Sequence, residues 1–275
     1  MRIRAFVCGV ALVTVACGRP APPPDPTGDK PLAAAVHGYV VETLRRNPTT
    51  NTYLGGAGLD PTLHDVDGTL RDYSPSALAN EDQWLASLQH TLEAIAPATL
   101  SPTSRIDRDV ALAQIAFVLR LHQTRRYQER ALDTYVVEPF RALDWQLQGM
   151  TAMSADPKSK SYGTSDEWAL VLRRVQAIPG FLARAQVQLA AGVAAKNTPD
   201  RRMIVRDGIA SADSTAKYFA TTLPALAAER MTGADRDLRV AALKQASVAA
   251  ADAYRAFRAF VAKTFCTDAN GTTVK

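Results

Sequence analysis

Apolar residues recur at every third or fourth position over long stretches of this chain, and this spacing limits the possible folds more than any other feature. The pairs Ser74-Pro75 and Ser101-Pro102 precede two of these stretches, as expected for an N-cap residue followed by proline at the first helical position. Runs in which apolar and polar residues alternate, typical of half-buried strands, are few. The sequence therefore predicts an all-α fold, with antiparallel helical hairpins packed as a bundle.

The same spacing predicts where helices end and which side of each faces the core. A first helix should end at Asn47-Pro48, and residues 47–73 should form an ordered loop with one helical turn near residues 50–54. A short helix should begin near Pro139, Ile178-Pro179 should interrupt another, and Ser165 should cap the helix that starts at residue 166. The helix after residue 101 should turn Ile106, Val110, Ala113, Phe117 and Leu121 inward. The last helix, from about residue 234 to residue 265, should turn Leu238, Ala242, Ala249, Ala253, Phe257 and Phe260 or Val261 inward.

The first residues have the organisation of an export signal. Met1-Arg2-Ile3-Arg4 puts positive charge before an apolar run of about a dozen residues, too short for a bilayer core that needs ~20. Thr14-Val15-Ala16-Cys17 resembles a bacterial lipobox, in which the cysteine becomes an acylated N-terminus. We therefore expect residues 1–16 to be a lipoprotein signal peptide, with signal cleavage between Ala16 and Cys17 and lipidation on Cys17. The alternative is a secretory peptide cut near Ala16 that leaves Cys17 free.

Between Gly18 and Lys30 the sequence contains five prolines, which favour an extended chain that buries little apolar surface. This composition predicts a Pro-rich tether over residues 17–31, followed by a helical domain over residues 32–275. The membrane is then a partner through the lipid on Cys17. Because Gly18 is not the aspartate that retains lipoproteins in an inner membrane, we expect placement in the outer membrane, facing the periplasm, where the organism has two membranes.

The charge of the chain argues against nucleic acid as a partner. The formal net charge of +5 falls to +3 when Arg2 and Arg4 leave with the signal peptide (5 − 2). The isolated basic pairs Arg125-Arg126 and Arg201-Arg202 are not interleaved with aromatic residues, as a nucleic-acid groove requires. With Cys17 acylated, Cys266 has no disulfide partner, so we expect it to fill space near the end of a helix.

Familiar catalytic and metal-binding motifs do not occur in this sequence. Its four histidines are His37, His64, His90 and His122, and none has the HExxH spacing with which a helix presents two imidazoles to zinc. Except for His64, we expect them at the surface or at a boundary. The loop His64-Asp65-Val66-Asp67-Gly68 lacks an oxygen ligand at Leu63 that a calcium loop would need, so its side chains should form a turn. Gly163-Thr164-Ser165 begins like a nucleophile elbow, but Glu167 occupies the place of the second glycine. We therefore predict no catalytic residue, metal ligand or cofactor in this chain.

Several segments together resemble the bacterial family called domain of unknown function 885. They are Asn47-Pro48-Thr49-Thr50, Tyr53-Leu54-Gly55, Leu70 to Pro75, Leu100-Ser101-Pro102, Arg105 to Asp109 and Ile178 to Leu182. The resemblance runs from about His37 onward and covers the first half of a typical member. It implies an exported or lipid-anchored helical protein, similar to two-lobed zinc peptidases of the HExxH type.

The chain departs from that family in one way that matters for activity. In relatives the HExxH helix and a downstream glutamate lie in the second half, so the resemblance carries no catalytic residue over, and zinc is expected only in full-length relatives. A long amphipathic helix followed by an Asn270-Gly271 turn leads us to expect a truncated or frameshifted chain. The first hypothesis is thus an N-terminal, non-catalytic lobe of an envelope-anchored peptidase-like protein, inactive alone, whose full-length parent takes a peptide substrate. The alternative is a complete, non-catalytic helical envelope lipoprotein that binds a partner or ligand.

Overall fold

The computed structural model describes residues 26–153 and 161–275, and within these ranges the chain forms ten α-helices and no β-strand. The all-α prediction is confirmed. The helices are α1 (Asp29–Arg46), α2 (Pro48–Leu54), α3 (Gly56–Leu59), α4 (Pro75–Ala94), α5 (Pro102–Leu119), α6 (Leu132–Ala152), α7 (Ser165–Ala194), α8 (Ala212–Lys217), α9 (Leu223–Arg230) and α10 (Arg236–Phe265). A 3-10 helix covers Pro61–Gly68, and π-helical turns cover Arg120–Thr124, Met203–Ser211 and Tyr218–Thr222. None of the described helices is both long and apolar enough to cross a membrane.

Local capping chemistry sets the helix starts that the sequence predicted. The Ser74 hydroxyl accepts a hydrogen bond from the Ala77 amide at 3.2 Å, and the Ser101 hydroxyl accepts one from the Ser104 amide at 3.3 Å. The predicted cap of α7 was wrong by one residue. Thr164 caps this helix, and its hydroxyl and amide form a capping box with Glu167.

Two prolines lie inside helices, although one was predicted to begin a helix and the other to interrupt one. Helix α7 continues through Pro179 for 30 residues, and α6 begins at Leu132, well before Pro139. A proline removes one backbone hydrogen bond, but Ile178 and Phe181 beside it are fully enclosed in the core. Burial of these side chains outweighs the local cost, so the predicted interruption at Pro179 does not occur.

The main hydrophobic core lies between α6, α7 and α10 and extends onto α8 and α9. Its largest enclosed side chains include Trp168, Phe181, Phe219, Tyr254 and Phe257. Cys266 is buried directly after α10, as predicted. The last ten residues fold back along this helix, with the Lys275 amide donating to the Phe265 carbonyl at 2.9 Å. Burial of the apolar stripes of α7 and α10 against each other therefore holds most of the fold together.

A second, smaller core joins α1, α4 and α5. It is built from Leu32, Leu85, Leu92, Leu100, Ala111 and Ile115. The predicted inward face of α5 is wrong, because Ile106, Val110 and Phe117 are 64%, 55% and 56% exposed. Helix α5 is apolar on two sides, and periodicity cannot tell which of them meets a neighbour. Leu238 on α10 is likewise 74% exposed, whereas the predicted Phe257 and Val261 are buried.

The first described residues are hydrogen-bonded to the helical body of the protein. Helix α1 starts at Asp29, inside the predicted tether, and the Gly28 amide donates to the Thr99 carbonyl at 3.0 Å. The Asp29 carboxylate accepts a hydrogen bond from the Ser101 amide at 2.9 Å. These contacts place residues 28–31 in the helical body rather than in the tether. The lipidation and cleavage positions, Cys17 and Ala16, lie outside the described residues.

Candidate functional site

A cleft of about 350 Å³ lined largely by polar residues lies beside α6, and we call it the polar cleft. Its lining comes from four segments that are distant in sequence: the α1–α2 junction, the non-helical segment before α4 (residues 69–74), one face of α6, and the π-helical turn Met203–Ser211. The lining residues are Asn47, Thr49, Thr50, Arg71, Tyr73, Asp133, Thr134, Val137, Glu138, Arg141, Trp145, Arg206 and Asp207. Six of these side chains are acidic or basic, three arginines and three carboxylates.

Arg71 forms the positively charged floor of the cleft. It is buried, donates to the Glu81 carboxylate at 2.8 Å, and donates a second hydrogen bond to the Asn47 side chain. Its guanidinium also lies 5.2 Å from the centre of the Tyr73 ring. Because Glu81 is buried as well, the two charges hold each other in a fixed geometry.

Glu138 places a carboxyl group opposite this arginine. It accepts hydrogen bonds from the Tyr73 hydroxyl at 2.9 Å and from the Thr49 hydroxyl at 3.2 Å. Burial raises the pKa of Glu138, and the hydrogen bond from Tyr73 and the charge of Arg71 partly oppose this rise. The group therefore takes up a proton more readily than an ordinary glutamate, while its orientation is fixed from two sides.

The mouth of the cleft carries an arginine that has no anionic partner among the described residues. Arg141 follows Glu138 by three positions on the same face of α6, and its guanidinium lies 5.8 Å from the centre of the Trp145 ring. The Tyr53 ring also packs against Trp145, with the two ring centres 4.5 Å apart. Aromatic stacking thus positions the guanidinium without neutralising it, which leaves it available for a carboxylate or phosphate.

The opposite wall of the cleft is the π-helical turn Met203–Ser211. Here Arg206 donates two hydrogen bonds, at 2.9 and 2.7 Å, to the buried carboxylate of Asp207. An apolar trough of about 540 Å³ neighbours the polar cleft and shares the lining residues Val137 and Arg206 with it. Its other lining residues are Phe140, Ala210, Ser211, Ser214, Thr215 and Tyr218. The two concavities together offer a charged end and an apolar end to one ligand.

A fully buried arginine on α7 supports the cleft from behind. Arg174 donates to the carbonyls of Thr69 and Ala142 at 3.0 and 2.9 Å, to the Gln146 side chain at 3.0 Å and to the Thr52 hydroxyl at 2.8 Å. Burial lowers the pKa of Arg174 to about 10, and the nearby Asp67 opposes this fall, so the side chain stays charged at neutral pH. It fixes α2, α6 and the stretch before α4 relative to one another.

The histidine loop singled out from the sequence is a structural element of this same support. The segment is a 3-10 helix rather than a turn, and Asp67 accepts hydrogen bonds from Asn51 at 2.9 Å and Thr52 at 2.6 Å. His64 and Asp65 contact α7, with the His64 imidazole 3.0 Å from the Asp166 carboxylate. Within residues 26–153 and 161–275, no group of three or more His, Cys, Asp or Glu side chains is placed to hold a metal ion.

The other histidines were assigned correctly except for one. His37 and His90 are exposed, whereas His122 is buried and its Nδ1 lies 2.6 Å from the Asp82 carboxylate. The His122 ring also stacks on Tyr127 at 5.8 Å. The π-helical turn at the end of α5 turns His122 inward, and a helical wheel with regular spacing could not show this.

Sequence reasoning missed the cleft itself, although two of the segments quoted for the family resemblance meet there. Asn47 and Thr49 come from the first of these segments, and Arg71 and Tyr73 come from the third. The signal that could have located the cleft was the proximity of these two motifs in the folded chain, and the order of residues along the sequence does not show that proximity. A family model described as "Bacterial protein of unknown function (DUF885)" matches residues 48–273.

The chain belongs to the DUF885 family. The match begins at the first residue of α2 and ends within the segment after α10, so it includes every cleft-lining residue except Asn47. The resemblance inferred from the sequence motifs is therefore confirmed at the level of the family. No curated protein matches the chain.

Proposed function

We propose that this DUF885 chain is a non-catalytic, ligand-binding helical lobe of an envelope-anchored protein, and that its polar cleft binds a peptide-like ligand with a free carboxylate. One observation carries the proposal: Arg141 stands at the cleft mouth, stacked on Trp145, without an anionic partner among the described residues. A planar guanidinium held in this way is suited to bidentate binding of a carboxylate.

The charges around Arg141 support a zwitterionic ligand rather than a simple anion. Glu138 and Asp133 line the same cleft and provide oxygen acceptors for an ammonium group or for backbone amides. Arg71 at the floor of the cleft is already paired with Glu81, so this charge need not rearrange when a ligand arrives. The apolar trough beyond Val137 is large enough for an apolar side chain of such a ligand.

The catalytic part of the proposal rests on the resemblance to zinc peptidases. Such enzymes hold zinc through HExxH and a further glutamate, and the 275 residues contain no HExxH. We propose that this lobe contributes substrate contacts, and that any hydrolysis needs zinc ligands from outside this sequence. The His64–Asp67 segment does not substitute for them, because its side chains are engaged with α2 and α7.

Envelope anchoring is proposed from the lipobox-like Thr14-Val15-Ala16-Cys17. Metabolic labelling with a radioactive fatty acid in the native host should label the chain, and Cys17→Ala should abolish the label and release the protein from the membrane fraction. A membrane-bound protein that never incorporates the fatty acid would contradict the anchor without affecting the cleft.

Ligand binding is tested by isothermal titration of the purified full chain in detergent with dipeptides that carry free or amidated C-termini. We expect binding of the free carboxylates, and loss of a charge-assisted hydrogen bond in Arg141→Gln should weaken it by about tenfold to a hundredfold. Arg202→Gln is the matched control, since this exposed arginine lies outside the cleft. Equal affinity for free and amidated peptides, or equal losses in both variants, would refute the assignment.

A further inference from the structure

Helix α5 presents a continuous apolar face to solvent, opposite the face that packs on α1 and α4. Ile106, Val110, Ala113 and Phe117 follow one another at intervals of four, three and four residues, so they form one line along the helix. We call this line the outer stripe. Its three large side chains are each more than half exposed. A contiguous exposed stripe of this kind marks a surface that meets another apolar phase.

The outer stripe lies close to where residues 17–25 join the fold. The first turn of α5 is attached to the start of α1 by the hydrogen bonds from the Ser101 amide to Asp29 and from the Gly28 amide to the Thr99 carbonyl. Nine peptide units connect Cys17 to Pro26, a span of at most about 32 Å. Helix α5 itself is about 27 Å long. A lipid on Cys17 would therefore hold the whole stripe within reach of the bilayer surface.

The charged residues in and after α5 also favour contact with the bilayer surface. Between residues 101 and 126 the sequence carries five arginines and two aspartates. Arg105, Arg120 and Arg125 are exposed, and Asp109 is paired with Arg108 at 3.3 Å. Exposed arginines that flank an apolar helix face favour the headgroup region of a membrane that contains anionic lipids.

We propose that α5 lies on the membrane that carries the Cys17 anchor, with its outer stripe in contact with the lipid. This inference rests on the anchoring part of the proposed function and is independent of the polar cleft. It fixes an orientation: the second core faces the bilayer, and the helical body extends away from it. The occupant is the lipid surface, so neither a second copy of the chain nor a separate protein is needed to cover the stripe.

The orientation is tested with a fluorescent probe that responds to polarity, attached through a cysteine at one position at a time. The full lipidated chain is placed in vesicles of phosphatidylethanolamine and phosphatidylglycerol, as Ile106→Cys, Phe117→Cys or Leu238→Cys. Leu238 is the matched control, because it is apolar and 74% exposed but lies on α10. We expect blue-shifted emission, quenched by brominated acyl chains, at positions 106 and 117 and not at 238. Water-like emission at all three positions would overturn the proposal.

A second measurement separates the stripe from the anchor. Non-acylated Cys17→Ser protein should associate weakly with the same vesicles, and Phe117→Ser in that background should reduce the association by about tenfold, while Leu238→Ser should not. A shift of the probes at 106 and 117 that depends on protein concentration and occurs without vesicles would instead indicate a second copy, and would overturn the membrane assignment. Fatty-acid labelling and dipeptide titration report on the proposed function separately, so the two failures are distinguishable.

Discussion

Replacing Arg174 with methionine should strongly destabilise the protein, because the variant keeps an unbranched, though shorter, side chain and removes all of its hydrogen-bond donors. The guanidinium is fully buried and makes four hydrogen bonds of 2.8–3.0 Å. Hydrogen bonds from a charged donor contribute ~1.5–3 kcal/mol each. Against this stands the cost of burying the charge, which lowers the pKa of Arg174 to about 10 even though the nearby charge of Asp67 opposes the fall.

Loss of the donors leaves buried carbonyl and hydroxyl acceptors without partners, and methionine recovers only part of the free energy through its apolar contacts. We therefore expect the free energy of unfolding to fall by ~3–5 kcal/mol, the range for removing one partner of a buried charged network. Polar-cleft residues should lose their fixed positions at the same time, because Arg174 joins α2 to α6.

The neighbouring Arg173 provides a matched control for this experiment. Its side chain is 49% exposed and pairs with the exposed carboxylate of Asp65 at 2.8 Å. Arg173→Met should therefore cost at most ~1 kcal/mol. Urea unfolding followed by far-UV circular dichroism compares the two variants with the parent chain. Equal unfolding midpoints for Arg174→Met and Arg173→Met would refute the reasoning that the buried network fixes the fold.

Three further predictions concern other parts of the same framework. Because burial raises the folded-state pKa of Glu138, its ionisation lowers stability as pH rises, so the urea midpoint of the parent relative to Glu138→Gln should fall as pH rises above about 4.5. An unchanged difference would contradict the raised pKa. Glu81→Gln should cost ~3 kcal/mol in urea unfolding, because it leaves the buried Arg71 without its carboxylate; a loss no larger than that of a surface pair would contradict this. A Cβ at Gly192 would lie 2.2 Å from a backbone carbonyl, so Gly192→Ala should cost ~1–3 kcal/mol. Gly149→Ala, in open space on α6, should instead raise the thermal midpoint slightly, and equal effects of the two alanines would contradict the packing.

Short-range chemistry accounts for the parts of the fold that the sequence predicted well. The caps at Ser74 and Ser101 involve atoms three residues apart, and the following proline fixes the backbone angle that a helix needs. The wrong predictions concern forces between distant segments. Packing kept α7 continuous through Pro179, and the position of α1 and α4 decided that α5 buries Ile115 rather than Phe117.

The polar cleft could not be predicted from the sequence for the same reason. Arg71, the α6 residues Glu138 and Arg141, and Arg206 come from three separate segments of the chain. Whether an arginine is paired, stacked or available depends on which carboxylates the packing brings within about 4 Å, since the interaction falls off with distance and with solvent screening. Only the structure shows that Arg71 is neutralised by Glu81 and that Arg141 is stacked on Trp145.

The amino-acid sequence alone determined the helical class, the starts of α4 and α5, the family and the expected export signal, because each depends on residues that are close together along the chain. The tertiary structure decided which apolar faces are covered, which histidine is buried and where charges meet in a cleft. Those features depend on contacts between residues up to 122 positions apart, such as the hydrogen bond from Arg174 to Thr52. Such contacts stabilise the protein only after the helices have packed against one another.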